Sequence, residues 1–91
     1  MRVSVEEIAA AFSDLISGAR PREAIASWAT AICTADDRGT LKYSPPHAEA
    51  AIWDALTYLM GVDLRSGPDT YLHSRADFEE YWAINRSALL R

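Results

Sequence analysis

Ser4-Val5-Glu6-Glu7-Ile8-Ala9-Ala10-Ala11-Phe12-Ser13-Asp14-Leu15-Ile16-Ser17-Gly18 is the stretch that decides the class of fold. Ser4 and Glu7 have the spacing of a capping box, in which the serine oxygen accepts from the amide three residues on and the glutamate reaches back to the cap's own amide. Val5, Ile8, Ala9, Phe12, Leu15 and Ile16 then recur at helical spacing, and Gly18 supplies the residue that commonly ends a helix in the left-handed conformation. The spacing predicts a helix over 4–17.

Working outward, Pro21 suits a first helical turn because its missing amide hydrogen would be unpaired there anyway. Ala24, Ile25, Trp28, Ala29 and Ile32 follow as a second apolar stripe, so a helix is expected over 21–35. With so short a link, the first two helices are expected to pack as an antiparallel hairpin. Residues 36–46 are irregular, with Gly39, Pro45 and Pro46 as breakers, although Thr40-Leu41-Lys42-Tyr43 alternates weakly. Ile52, Ala55, Leu56 and Leu59 mark a third helix over 46–60. A turn-rich connection holds Gly61, Gly67 and Pro68. Ser74-Arg75-Ala76-Asp77 reads as a second capping box, and Phe78, Tyr81, Trp82 and Leu89 carry a fourth helix over 74–88. The expected fold is all-α: a compact bundle of about four helices forming one domain over 1–91, with no substantial sheet.

The composition agrees. Of 91 residues, 49% are hydrophobic and 24% charged, which is a globular balance. Cys33 is the one cysteine, which excludes an intramolecular disulfide and a Cys-rich zinc site. No apolar run approaches the roughly 20 residues of a membrane span, and MRVSVEE is not a basic-then-apolar leader, so a soluble cytoplasmic protein with no membrane partner is expected. The net charge of −4 speaks against direct nucleic-acid binding, whose affinity comes largely from lysines and arginines on phosphates.

No catalytic constellation is visible. His47 and His73 have no metal-ligand spacing. Cys33 lies beside an apolar stripe and reads as a structural thiol. The glycines are isolated, so no phosphate loop exists. Glu6/Glu7, Asp36/Asp37 and Glu79/Glu80 are neighbours that point about 100° apart on a helix and make no shared carboxylate site. The expectation is a protein that is not an enzyme, with no cofactor and no metal.

Charge is unevenly placed. Residues 47–85 hold Arg65 and Arg75 against seven acidic residues, and six of the nine aromatics. Aromatic anchors ringed by carboxylates suit a surface for a basic partner. The candidate contacts are Asp54, Asp63, Asp69, Glu79 and Glu80, with Trp53, Tyr58 and Tyr71 as anchors. The competing reading puts the aromatics in the core, and Trp82 is expected there.

Ile52-Trp53-Asp54-Ala55-Leu56-Thr57-Tyr58-Leu59-Met60-Gly61-Val62-Asp63-Leu64, Tyr71-Leu72-His73-Ser74 and Asp77-Phe78-Glu79-Glu80-Tyr81 resemble small acidic helical bacterial proteins. Among these are immunity proteins of contact-dependent growth inhibition and related polymorphic-toxin systems. Arg22-Glu23-Ala24 and Trp28-Ala29 fit the same pattern, while Pro21 departs from it. The resemblance implies a protein that neutralises a cognate toxin, a nuclease being one candidate, by covering its active site. A helical adaptor or regulatory subunit that binds another bacterial protein is the alternative.

Overall fold

The computed structural model describes residues 1–68 and 70–89. Four α-helices carry the fold: α1 (Val5–Ser17), α2 (Arg22–Asp37), α3 (Glu49–Met60) and α4 (Arg75–Leu89). The expected all-α bundle is observed, and the start of the expected third helix is instead a single 3-10 turn over Pro46–Ala48. Both capping boxes form. The Glu7 amide donates to Ser4 Oγ at 3.1 Å and the Ser4 amide to Glu7 Oε1 at 3.2 Å. In α4, the Ser74 amide donates to Asp77 Oδ2 at 2.8 Å and the Asp77 amide to Ser74 Oγ at 3.3 Å. Gly18 ends α1 at φ 82°, a conformation other residues adopt at a cost.

Extended structure among the described residues is limited to two short pairs. β1 (Arg2–Ser4) lies parallel to β2 (Lys42–Ser44), with Val3 beside Tyr43. The weak alternation at 40–43 is therefore realised as β2. Its partner carries too few residues before the Ser4 cap to show a strand pattern. Pairing buries Val3 completely. The Tyr43 hydroxyl donates to Asp36 Oδ1 at 2.8 Å, fastening β2 to the end of α2, and burial together with that carboxylate pushes the phenol well above its usual range. The second pair is the hairpin β3 (Arg65–Gly67) and β4 (Thr70–Tyr71), antiparallel with an irregular register.

Packing departs from the expected hairpin of the first two helices. α2 lies mainly along α3 and α1 along α4, so α1 and α2 are splayed and touch little. The reason is in the side chains. Phe12 of α1 is fully buried and stacks on Trp82 and Tyr81 of α4, with centroids 5.0 and 5.4 Å away. Tyr58 of α3 joins the stack, 3.9 Å from Tyr81. Parallel offset rings of this kind add to the energy of area burial alone. α2 buries Ile25 and Ile32 with the small Ala26, Ala29 and Cys33, against Ile52, Ala55, Leu56 and Leu59 of α3, an aliphatic contact of large and small side chains. Trp82 packs against the core as expected, and Trp28 is half-buried at its margin.

Phe12→Ala is expected to cost about 3–5 kcal/mol in urea unfolding, since it removes the ring that three others pack on and leaves a cavity. Trp28→Ala, at the half-exposed margin, should cost less. Equal losses would show that the aromatic stack is not the centre of the core.

Candidate nucleic-acid interface

At one end of the bundle the chain leaves α1 through Gly18 and enters α2 through Pro21. The β3–β4 ribbon and the start of α4 lie against the same place. The helix starting after Pro21 has no side-chain cap, so its first amides and the positive end of its dipole face this region. Gly61 closes α3, and Gly67-Pro68 turns the ribbon, which is why a short hairpin forms here rather than a fifth helix.

Arg22, on the first turn of α2, holds the ribbon. Its Nη1 donates to the His73 carbonyl at 2.8 Å and to the Val62 carbonyl at 3.4 Å, one on each side of the hairpin. The guanidinium lies 3.8 Å from the Tyr71 ring centroid and 5.0 Å from that of Phe78. Arg65 stands over the same Tyr71 ring at 5.0 Å and donates to the Pro68 carbonyl at 3.0 Å. The Tyr71 hydroxyl donates to Glu23 Oε2. That bond holds the Glu23 carboxyl below the usual carboxylate range and pushes the Tyr71 phenol up.

Two further arginines complete the end. Arg20 Nε pairs with Asp14 Oδ2 at 2.7 Å. The Arg75 guanidinium lies over the last turn of α1, with Nη2 3.9 Å from where a Cβ on Gly18 would stand. Arg20, Arg22 and Arg75 line one cleft of about 250 Å³, with Glu23 as its one carboxylate and Tyr71 as one wall. The arrangement offers guanidinium forks, an uncapped helix start and an aromatic face. Those groups recognise phosphate.

The residues expected to bind a basic partner come together only in part: Asp54 and Glu80 lie near the stacked Tyr81 and Tyr58, whereas Asp63 and Tyr71 line other clefts. Glu80 and Tyr58 line a cleft of about 310 Å³ with Tyr81, His73 and Asp77. Asp54 and Glu79 are exposed, on α3 and α4, and Asp63 lines a different cleft beside Met60. Trp53 is 37% exposed on α3. Tyr58 is half-buried inside the aromatic stack, and Tyr71 belongs to the arginine end. Asp69 lies outside the described residues. His73 is a turn residue whose ring rests on Tyr58, with centroids 5.5 Å apart.

A family model described as YxzC DNA-binding protein matches residues 3–85. The chain belongs to that family. A relative, the uncharacterized protein YxzC of Bacillus subtilis (strain 168), is 33% identical over 67 residues, which are 74% of this chain and 49% of that protein. The chain thus spans about half the length of the curated relative it matches. No solved structure matches.

Membership of the YxzC family overturns the resemblance to immunity proteins, and with it the toxin partner and the exclusion of nucleic acid. The physical error was to read a whole-chain charge as a property of every face. Arg20 and Arg22 are more than 40 residues from Arg65 and Arg75 in sequence, yet the two pairs meet at one end of the fold. Two signals for them were present: Arg20-Pro21-Arg22 brackets a helix start, and Arg65 and Arg75 are the two basic residues of an otherwise acidic stretch.

Because the Tyr71–Glu23 bond lowers the Glu23 pKa, its contribution is present above the ordinary glutamate value of 4.5 and is lost as pH falls through the lowered value. The raised Tyr71 phenol sets the opposite limit, with loss as pH rises through its folded value. Tyr71→Phe should therefore lower the denaturant midpoint at neutral pH and flatten its decline through the glutamate range. An unchanged acid profile would show that the bond contributes nothing.

Proposed function

We propose that the protein binds duplex DNA by seating backbone phosphates on Arg20 and Arg75 at this cleft, with Arg22 shaping it, and that it acts as a small DNA-associated regulatory protein. The observation that carries the reading is the cleft itself, which three arginines line with Glu23 as the one carboxylate of the lining, Asp14 pairing with Arg20 from outside it. The family's description as DNA-binding supports it. A protein of net charge −4 is repelled by DNA over most of its surface, so contact is confined to this end.

The reading is of a binding protein, not an enzyme. Cys33 supports it, because burial, Asp36 and Asp37 push its thiol up, away from the thiolate that a nucleophile needs. No helix among the described residues is long and apolar enough to cross a membrane. A DNA-binding role supports a cytoplasmic location.

A small footprint has a measurable signature. The logarithm of the binding constant for a mixed-sequence duplex should fall against the logarithm of salt with a slope of about −2 to −3, since each neutralised phosphate contributes about −0.9. Arg75→Ala should weaken binding to all duplexes alike and reduce that slope by about 1. Fluorescence anisotropy across a salt series measures both. No binding at low salt, or an unchanged slope in the variant, would overturn the reading.

A further inference from the structure

The cleft explains how phosphates could be held, but not what reads the bases. The ribbon beside it has the properties that task needs. Arg65, Ser66 and Thr70 are exposed on it. Among the described residues, the Ser66 and Thr70 hydroxyls make no hydrogen bond within the chain, and Arg65 makes no ion pair. The ribbon is also held rigidly at its base. Arg22 bonds carbonyls on both sides of it, and Tyr71 is clasped between two guanidiniums and Glu23. The Leu72 amide donates to the Leu64 carbonyl at 2.8 Å, carrying the pairing one step beyond the strands.

We propose that the β3–β4 ribbon enters the DNA major groove and presents Arg65, Ser66 and Thr70 to base edges, while Arg20 and Arg75 hold the flanking phosphates. The inference rests on the DNA-binding reading above. Paired strands lie about 4.8 Å apart, so a two-stranded ribbon with its side chains fits a groove about 12 Å wide. Arg65 Nη1 bonds the Pro68 carbonyl, which leaves Nε and Nη2 as the pair of donors for O6 and N7 of guanine, and the two hydroxyls serve as donors or acceptors for neighbouring bases. Guanidinium forks and hydroxyls are discriminating in the major groove, where each base pair shows a distinct pattern, and poorly so in the minor groove. Arg22 is a positioning residue. Its nitrogens and its face are engaged with the ribbon and with Phe78, so it acts on the DNA by fixing the element that touches it.

The experiment is selection of bound duplexes from a randomised library with the full chain, followed by anisotropy on an enriched and an unrelated duplex. Arg65→Lys retains the charge and loses the fork. It should bind the enriched duplex about tenfold more weakly and the unrelated duplex almost unchanged. Ser66→Ala with Thr70→Ala should shift the enriched sequence while leaving the salt slope as it was. Methyl green, which occupies the major groove, should compete, and netropsin, which occupies the minor groove, should not. Arg22→Lys, checked for an intact helical spectrum, should lose sequence preference before it loses binding to the unrelated duplex. If wild-type protein binds DNA but Arg65→Lys and the double alanine variant select the same sequences with the same affinity, the ribbon reading falls and the phosphate cleft stands. Competition by netropsin alone also overturns it. If wild-type protein binds no duplex, both readings fall.

Discussion

The guanidinium of Arg22 is tied to four groups: the carbonyls of Val62 and His73, and the rings of Tyr71 and Phe78. These belong to the end of the α3 turn, the return strand of the ribbon and the first turns of α4. A hydrogen bond with one charged partner is worth about 1.5–3 kcal/mol, roughly twice a neutral one, and a cation over a ring adds to that. Lysine would be a poor replacement, because a compact ammonium lacks the planar face that lies over two rings while Nη1 bonds the carbonyls. One side chain therefore fixes the position of the ribbon relative to α2 and α4, and so the shape of the cleft they share.

The rest of the molecule has a different logic. α1 and α4 are joined through stacked rings centred on Phe12, and α2 and α3 through aliphatic side chains, large and small. Each of the first two helices thus has its main partner elsewhere, which accounts for the splay between α1 and α2. The exit of α1 lies under Arg75, and the entry of α2 is uncapped because Pro21 stands at its N-cap. The packing of the core and the assembly of the arginine end are thus one arrangement seen from two sides.

Helices were legible because their signals are local. Ser4 with Glu7, Ser74 with Asp77 and the period of Ile8, Phe12 and Leu15 lie within a few residues of one another and bond as their spacing implies. The partners of α1 and α2 were not legible, because they depend on ring-to-ring contacts between residues as distant as Phe12 and Trp82. The candidate site was less legible still. Tyr71 was singled out as an anchor, but for a basic partner. Its ring in fact meets two arginines, one of them far away in sequence. Asp54, Asp63, Glu79 and Glu80 drew attention because acidic residues dominate the count. A count carries no information about which of them share a face: Asp54 and Glu80 lie near the Tyr58–Tyr81 pair, while Asp63 lines a separate cleft.

The parallel pairing of β1 with β2 bears on the order in which the chain acquires its structure during synthesis. A parallel pair needs an intervening crossover, and here α1 and α2 together supply it. On the ribosome, Arg2–Ser4 emerges first but has no partner until Lys42–Ser44 has followed. Val3, which has no exposed surface in the finished fold, must wait through the making of two complete helices. The capping box at Ser4 lets α1 begin without that partner, so the helix precedes the strand that adjoins it. Of the two paired strands, the one translated earlier is in this sense among the last elements to be buried.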